Sequence, residues 1–158
     1  MRKRIVGPHH AHLQGQSNKG WLDLEQIATV EVTSEDPSFP IEYAFGSSDG
    51  PGWRASQGGE QRIRIIFDLP VPVHRIELRF HEAEYERTQE FILGWSSESR
   101  GALTEIVRQQ WNFSPIGSTM EIEHCVVDLE AVSVLELAIR PDLHRPEAVA
   151  TLASWRVG

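Results

Sequence analysis

The sequence predicts an all-β protein, an antiparallel β-sandwich, on three observations. Apolar and polar residues alternate with a period of two in several segments. Turn residues separate those segments, and helical periodicity is weak along the whole chain. Such alternation is typical of antiparallel sheets that have one face in the core and the other in water, because buried parallel strands give continuous apolar runs.

The alternating segments follow one another along most of the chain. They are residues 63–69, 76–80, 91–95 and 135–139, with a short final candidate at 152–157. Pro70 and Pro72 stand between the first two segments, and proline rarely lies inside a central strand, so this stretch predicts a turn. Pro115 and Gly117 mark another turn. Only residues 21–30 offer a helical turn or two, and they end in a β-branched run that predicts a strand.

Length and composition indicate one domain. The chain has 158 residues, of which 40% are hydrophobic, and this is enough for a single core. We find no repeat and no linker. Residues 1–20 are polar and predict an N-terminal tail or wrapping segment, and residues 21–158 predict one β-sandwich domain.

Charge and motifs argue against several functions. The net charge of −8 disfavours nucleic acid, since a phosphate backbone attracts clustered Lys and Arg. The single Cys125 lies in a strand-like segment and predicts a buried, inert thiol. No apolar run could span a membrane and no apolar segment follows the basic start, so we expect a cytoplasmic protein. The motifs of hydrolases, metalloproteases and nucleotide-binding enzymes are absent, and we expect no enzyme.

The order of features resembles the galactose-binding, or discoidin (coagulation factor 5/8 type C), family. The resemblance covers residues 27–158 and depends on the ordered set of motifs. These are an early acidic turn in residues 34–45, the step Trp53-Arg54-Ala55-Ser56, a strand ending in Asp68-Leu69, a "V-x-x-I" strand at 73–78, a strand at 87–96, and closing strands at 135–141 and 150–157.

This resemblance implies a jelly-roll β-sandwich that binds ligands without catalysis. Members of the family bind sugars, phospholipid headgroups or protein partners through loops at one end of the sandwich, and many carry a structural calcium ion. Secreted members often close the sandwich with terminal cysteines, which this chain lacks. The segment 108–115 is not part of the general pattern.

The leading candidate site is the loop that follows the strand at 76–80. It contains His81, Glu82, Tyr85 and Arg87. Sugar recognition needs fixed donors and acceptors for hydroxyl groups and an aromatic face for the ring, and these residue types supply both. Arg87 corresponds to the family's arginine before the next strand. The alternative is an ordinary charged loop in which Arg87 forms a local ion pair.

Tryptophans divide into two groups. Trp53, Trp95 and Trp155 fall on or beside strands, so we expect them to pack in the core. Trp111 is less constrained, and together with Asn112 it is a candidate to line a ligand pocket.

Two sets of residues are candidate metal ligands. Asp49 and Glu35 lie in the acidic region where the resemblance implies calcium, although an Asx-type turn also explains Asp49. His9, His10 and His12 could chelate a transition metal, but a flexible tail does not fix them, so adventitious binding is the better interpretation. We predict no cofactor other than this structural calcium ion.

The sequence therefore predicts a non-catalytic carbohydrate-binding module. The proposed ligand site comprises His81, Glu82, Tyr85, Arg87, Trp111 and Asn112. The alternative is an intracellular protein–protein interaction module of the same fold that uses the same end of the sandwich.

Overall fold

A computed structural model describes residues 20–46 and 50–158, together with the backbone of residues 2–4. Strands make up about 60% of the described residues and helices about 6%. The two helices are one turn long, α1 (Leu24–Ile27) and α2 (Glu42–Phe45). The strands are β1 (Arg2–Arg4), β2 (Ala28–Val32), β3 (Trp53–Gly58), β4 (Gln61–His81), β5 (Arg87–Ser96), β6 (Thr104–Phe113), β7 (Met120–Arg140), β8 (Val149–Leu152) and β9 (Ser154–Val157).

All the strand pairs between described residues are antiparallel. The larger sheet has the order β1-β2-β4-β7-β5-β6, with β9 paired to β4, and a second sheet consists of β3 and β8. The first strand is the basic segment at the N-terminus, whose backbone pairs with β2. Pairing of this kind uses backbone N–H and C=O groups and so does not depend on the apolar pattern that predicts the other strands. The prediction of an all-β antiparallel architecture is confirmed.

Strands β4 and β7 are each 21 residues long and contribute to both layers of the sandwich. One layer contains β2, β5 and β6, and the other contains β9. The first part of β4, residues 63–67, pairs with β2, whereas residues 76–79 pair with β9. The register of β4 against β7 shifts three times between Ile66 and Arg75. The predicted turn at Pro70 and Pro72 is therefore wrong. Proline interrupts the hydrogen-bond ladder because it has no N–H, but its φ angle suits extended backbone, so the strand continues through both prolines with shifts of register.

The core lies between the two layers. Phe80 of β4 faces Phe91 of β5 with ring centroids 5.0 Å apart, although these two strands are not hydrogen-bonded neighbours. Both rings are buried, as are Trp53 and Trp155. Burying an aromatic side chain stabilises the fold by about 1.5–3 kcal/mol. The alternation in the sequence therefore marks the residues that fill the space between the layers.

Other sequence predictions concern a helical turn, the thiol of Cys125, membrane-spanning segments and the N-terminal histidines. The one-turn helix α1 lies inside the segment predicted to hold a helical turn. Cys125 is buried, and burial together with the nearby Glu123 carboxylate raises the pKa of its thiol to about 11, so the thiol is protonated at neutral pH. Neither described helix is long and apolar enough to cross a membrane. His9, His10 and His12 lie outside the described residues.

Candidate functional site

Three loops meet at one end of the sandwich, which we call the loop end. They are the β4–β5 loop (82–86), the β6–β7 loop (114–119) and the β7–β8 loop (141–148). The backbone N–H of Glu82 donates to the carbonyl of Thr119 at 2.9 Å, which joins the first two loops. The N–H of Leu143 donates to the carbonyl of Thr88 at 2.8 Å, which ties the third loop to the start of β5. The three loops therefore form one connected surface.

The Glu82 carboxylate shapes the β4–β5 loop from within. Its Oε2 atom accepts hydrogen bonds from the backbone N–H groups of Glu84 at 3.1 Å and Tyr85 at 3.4 Å. Its Oε1 atom lies 3.3 Å from Nε of Arg87. Since both oxygens have partners inside the protein, Glu82 fixes the loop, and its capacity to accept a further hydrogen bond is reduced.

The Arg87 guanidinium lies beneath the loop, with its side chain only 3% exposed. Nη1 donates to the carbonyl of Val149 at 3.0 Å and Nη2 donates to Oγ1 of Thr151 at 3.2 Å. Burial lowers the pKa of Arg87, and the carboxylates of Glu82 and Asp142 oppose this shift. Nε has no hydrogen bond of ordinary geometry, so its contact with Glu82 is electrostatic. Arg87 therefore anchors the loop to β8 and is not presented to solvent.

Other predicted residues of the loop end are open to solvent. His81 ends β4 and is exposed, and Tyr85 is 61% exposed at the loop surface. Asn112 is also exposed, and its Oδ1 accepts a hydrogen bond from Oγ1 of Thr88 at 2.8 Å. This bond fixes the amide of Asn112 on the outer face of the β5–β6 pair.

Trp111 and Asn112 do not line the same pocket. Neighbouring residues of a strand point to opposite faces of a sheet. In the pairing of β5 with β6, Asn112 lies opposite the partly exposed Thr88, whereas Trp111 lies opposite Gln89, which is completely buried. Trp111 therefore belongs to the side of the sheet that faces the other layer, away from the surface that carries Asn112.

No family model matches the chain, and none of the curated proteins matches it. Among solved structures it is similar to CBM32-3 from a family 31 glycoside hydrolase of Clostridium perfringens, with a TM-score of 0.65 and 14% identity, over 90% of this chain and 96% of that one. The chain has the galactose-binding-like fold.

Two further structures share this galactose-binding-like fold. The family 32 CBM from C. perfringens NanJ, solved in complex with galactose, gives a TM-score of 0.60 and 13% identity over 82% of this chain and 92% of that one. A Ruminococcus gnavus GH29 fucosidase, solved in complex with fucose, gives a TM-score of 0.62 and 12% identity over 82% of this chain. The chain spans only 24% of the length of the fucosidase.

The galactose-binding-like sandwich also brings to the loop end residues that sequence reasoning missed. His144 and Arg145 are exposed on the β7–β8 loop. Oδ1 of Asp142 accepts from the N–H of His144 at 3.0 Å and from the N–H of Thr88 at 3.4 Å, which holds this loop against β5. The available signal was the turn composition of residues 141–146, which begin and end with proline and contain an aspartate.

The calcium site stays a prediction. Asp49 lies outside the described residues. Oε1 of Glu35 accepts a hydrogen bond from the backbone N–H of Ile41 at 2.7 Å, so this carboxylate already orders its own loop. Within residues 20–46 and 50–158, no group of three or more His, Cys, Asp or Glu side chains is arranged to hold a metal ion.

Proposed function

We propose that the chain is a non-catalytic carbohydrate-binding module that recognises a sugar at the loop end. The observation that carries this proposal is the β4–β5 loop, which displays Tyr85 and is held from below by the buried pair of Glu82 and Arg87. A loop that is ordered before the ligand arrives loses less conformational entropy on binding. The similarity to a module solved with galactose supports the same ligand class.

The chemistry of the exposed residues suits a sugar. The ring of Tyr85 offers an apolar face, and the imidazole of His81 offers a donor and an acceptor. Asn112, His144 and Arg145 add donors and acceptors on the neighbouring strand and loop. In this proposal Arg87 and Glu82 are positioning residues, in contrast with the direct hydrogen bonds to hydroxyls that the sequence predicted for them.

The expected affinity is modest. A surface loop site buries little of a monosaccharide, so we expect dissociation constants on the order of micromolar to millimolar. No bond is broken in the proposed function, and the sugar is held at equilibrium.

Calorimetric titration of the full chain with galactose and with fucose tests the proposal. Tyr85→Ala is expected to weaken binding by about ten-fold or more, because the ring contact is lost. Tyr43→Ala is the matched control, since Tyr43 is the only other tyrosine, is 44% exposed and lies on α2. Equal affinities of the two variants would contradict the proposed site. The alternative function, a protein–protein interaction module, predicts no saturable response to either sugar.

A further inference from the structure

A second group of polar residues lies on one side of the sandwich, between β6 and the first part of β7. Strand β6 pairs only with β5 among the described residues. Residues 120–126 of β7 pair with no described strand other than β4. The β5 strand pairs with β7 only at residues 134–140. Strand β6 is therefore an edge of one layer, and residues 120–126 of β7 are an edge of the other. We call the side of the sandwich where these two edges are neighbours the flank.

Five side chains form a ring at the flank. Trp111 lies directly opposite Gln89 in the β5–β6 register, so the two side chains share the inner face about 5 Å apart at Cβ. Gln109 is two residues before Trp111 on that face, and its Nε2 donates to Oε1 of Glu123 at 3.4 Å across the layers. Glu121, two residues before Glu123, faces Gln89 and closes the ring.

The floor of this ring contains buried polar atoms that lack a hydrogen bond of ordinary geometry. Gln89 is 0% exposed, and neither its Oε1 nor its Nε2 has a hydrogen bond of ordinary geometry, although its amide lies close enough to the Glu121 carboxyl to lower the pKa of that group. Glu121 is 3% exposed, and its Oε1 is also unpaired. Native proteins pair nearly all buried polar atoms with protein, water or ligand, so two such residues side by side need an explanation.

The rim of the ring is open to solvent. The side chain of Trp111 is 37% exposed, Gln109 is exposed and Glu123 is partly exposed. An exposed indole on the inner face of an edge strand is unusual here, because its neighbour Phe113 on the same face is completely buried. The flank thus combines an accessible aromatic surface with a polar floor.

We propose that the flank is a second saccharide site, separate from the loop end, that takes a neutral sugar. Two carboxamides supply donors and acceptors for hydroxyl groups, the carboxyl groups supply acceptors, and the indole face of Trp111 covers the apolar side of the ring. An anionic sugar is disfavoured because Glu121 and Glu123 are neighbours on one face. Hydroxyls that reach Gln89 and Glu121 supply the well-formed hydrogen bonds that these two side chains lack within the protein.

The protonation of Glu121 is consistent with this chemistry. Burial raises its pKa to about 7, the Glu123 carboxylate adds to the shift, and a hydrogen-bonding contact with the Gln89 side chain opposes it. At neutral pH this carboxyl is therefore a donor in part of the molecules and an acceptor in the rest, which suits a hydroxyl group that can do both.

The test is titration of the ¹⁵N-labelled full chain with galactose, fucose, glucose and N-acetylglucosamine, up to roughly 50 mM because weak sites need high concentrations. We expect saturable shifts of the amides of residues 89, 107–111 and 121–125 with at least one of these sugars. Trp111→Ala and Gln89→Leu are expected to weaken this response about ten-fold or more, whereas Tyr85→Ala leaves it unchanged.

Two results would overturn the proposal. One is the absence of saturable flank shifts with all four sugars, which would leave ordered water as the partner of the buried atoms. The other is an unchanged flank response in both flank variants, with their folding checked by unfolding midpoints. Because Tyr85→Ala affects only the loop end, failure of the loop-end site and failure of the flank site give different spectra.

Discussion

The carboxylate of Glu82 and the guanidinium of Arg87 form an ion pair at the base of the β4–β5 loop, with Oε1 3.3 Å from Nε. Both side chains are largely shielded from water, at 14% and 3% exposure. The same guanidinium donates hydrogen bonds to Val149 and Thr151 of β8. One buried cation therefore links the proposed ligand loop to a strand 62 residues further along the chain.

Arg87→Lys is expected to destabilise the protein by about 1–3 kcal/mol, because an ammonium group cannot reproduce the planar fork that contacts Val149 and Thr151. Urea unfolding followed by tryptophan fluorescence measures this change. The control is Arg100→Lys at an exposed position, where we expect a change within about 0.5 kcal/mol. Equal stabilities for the two variants would show that the buried fork contributes nothing.

Glu121 is expected to make stability depend on pH. Its pKa is about 7 in the folded protein, above the ordinary value of 4.5, so the folded state binds more protons than the unfolded state between those values. Stability therefore falls as the pH rises through this window. Above a pH of about 7, the charged Glu121 lowers the free energy of unfolding by about 1–3 kcal/mol, after allowance for solvent screening.

Glu121→Gln removes this titration. We expect the variant to gain stability relative to the native chain as the pH rises from about 5 to about 8, by the same 1–3 kcal/mol. Urea unfolding at both pH values measures the gain. Glu130→Gln, an exposed position on the same strand, is the control and should show no such trend. A gain that is independent of pH would refute the assignment of the titration to Glu121.

Gly52 is expected to tolerate no side chain. Its φ is +77°, and a Cβ atom there would lie 2.5 Å from the carbonyl oxygen of Leu152. Gly52→Ala should therefore cost about 2 kcal/mol or more, from backbone strain and a clash with β8. Thermal unfolding checks this expectation. At Gly117 the nearest atom to an added Cβ is 3.8 Å away, so Gly117→Ala should leave the midpoint nearly unchanged.

Much of the fold could be predicted from the sequence because period-two alternation is a local signal. Ile63, Ile65 and Phe67 are buried as the alternation requires. The course of β4 past Pro70 could not be predicted, because β2 pairs with one part of the strand and β9 with the other. That choice depends on partners distant in the sequence.

The candidate site was less predictable than the fold. The burial of Arg87 depends on Val149 and Thr151, which are more than 60 residues away and carry no local signal. The separation of Trp111 from Asn112, by contrast, was predictable, since neighbours on a strand point to opposite faces. Those two residues could not have shared a pocket once β6 was recognised as a strand.

The most direct test of sugar recognition at the loop end is a ¹H–¹⁵N titration of the intact chain with galactose. Binding there should shift the amides of residues 81–86, 112 and 142–145 together and saturably, with a single dissociation constant in the micromolar to millimolar range. Saturable binding of galactose with no shift of those amides would contradict sugar recognition at the loop end.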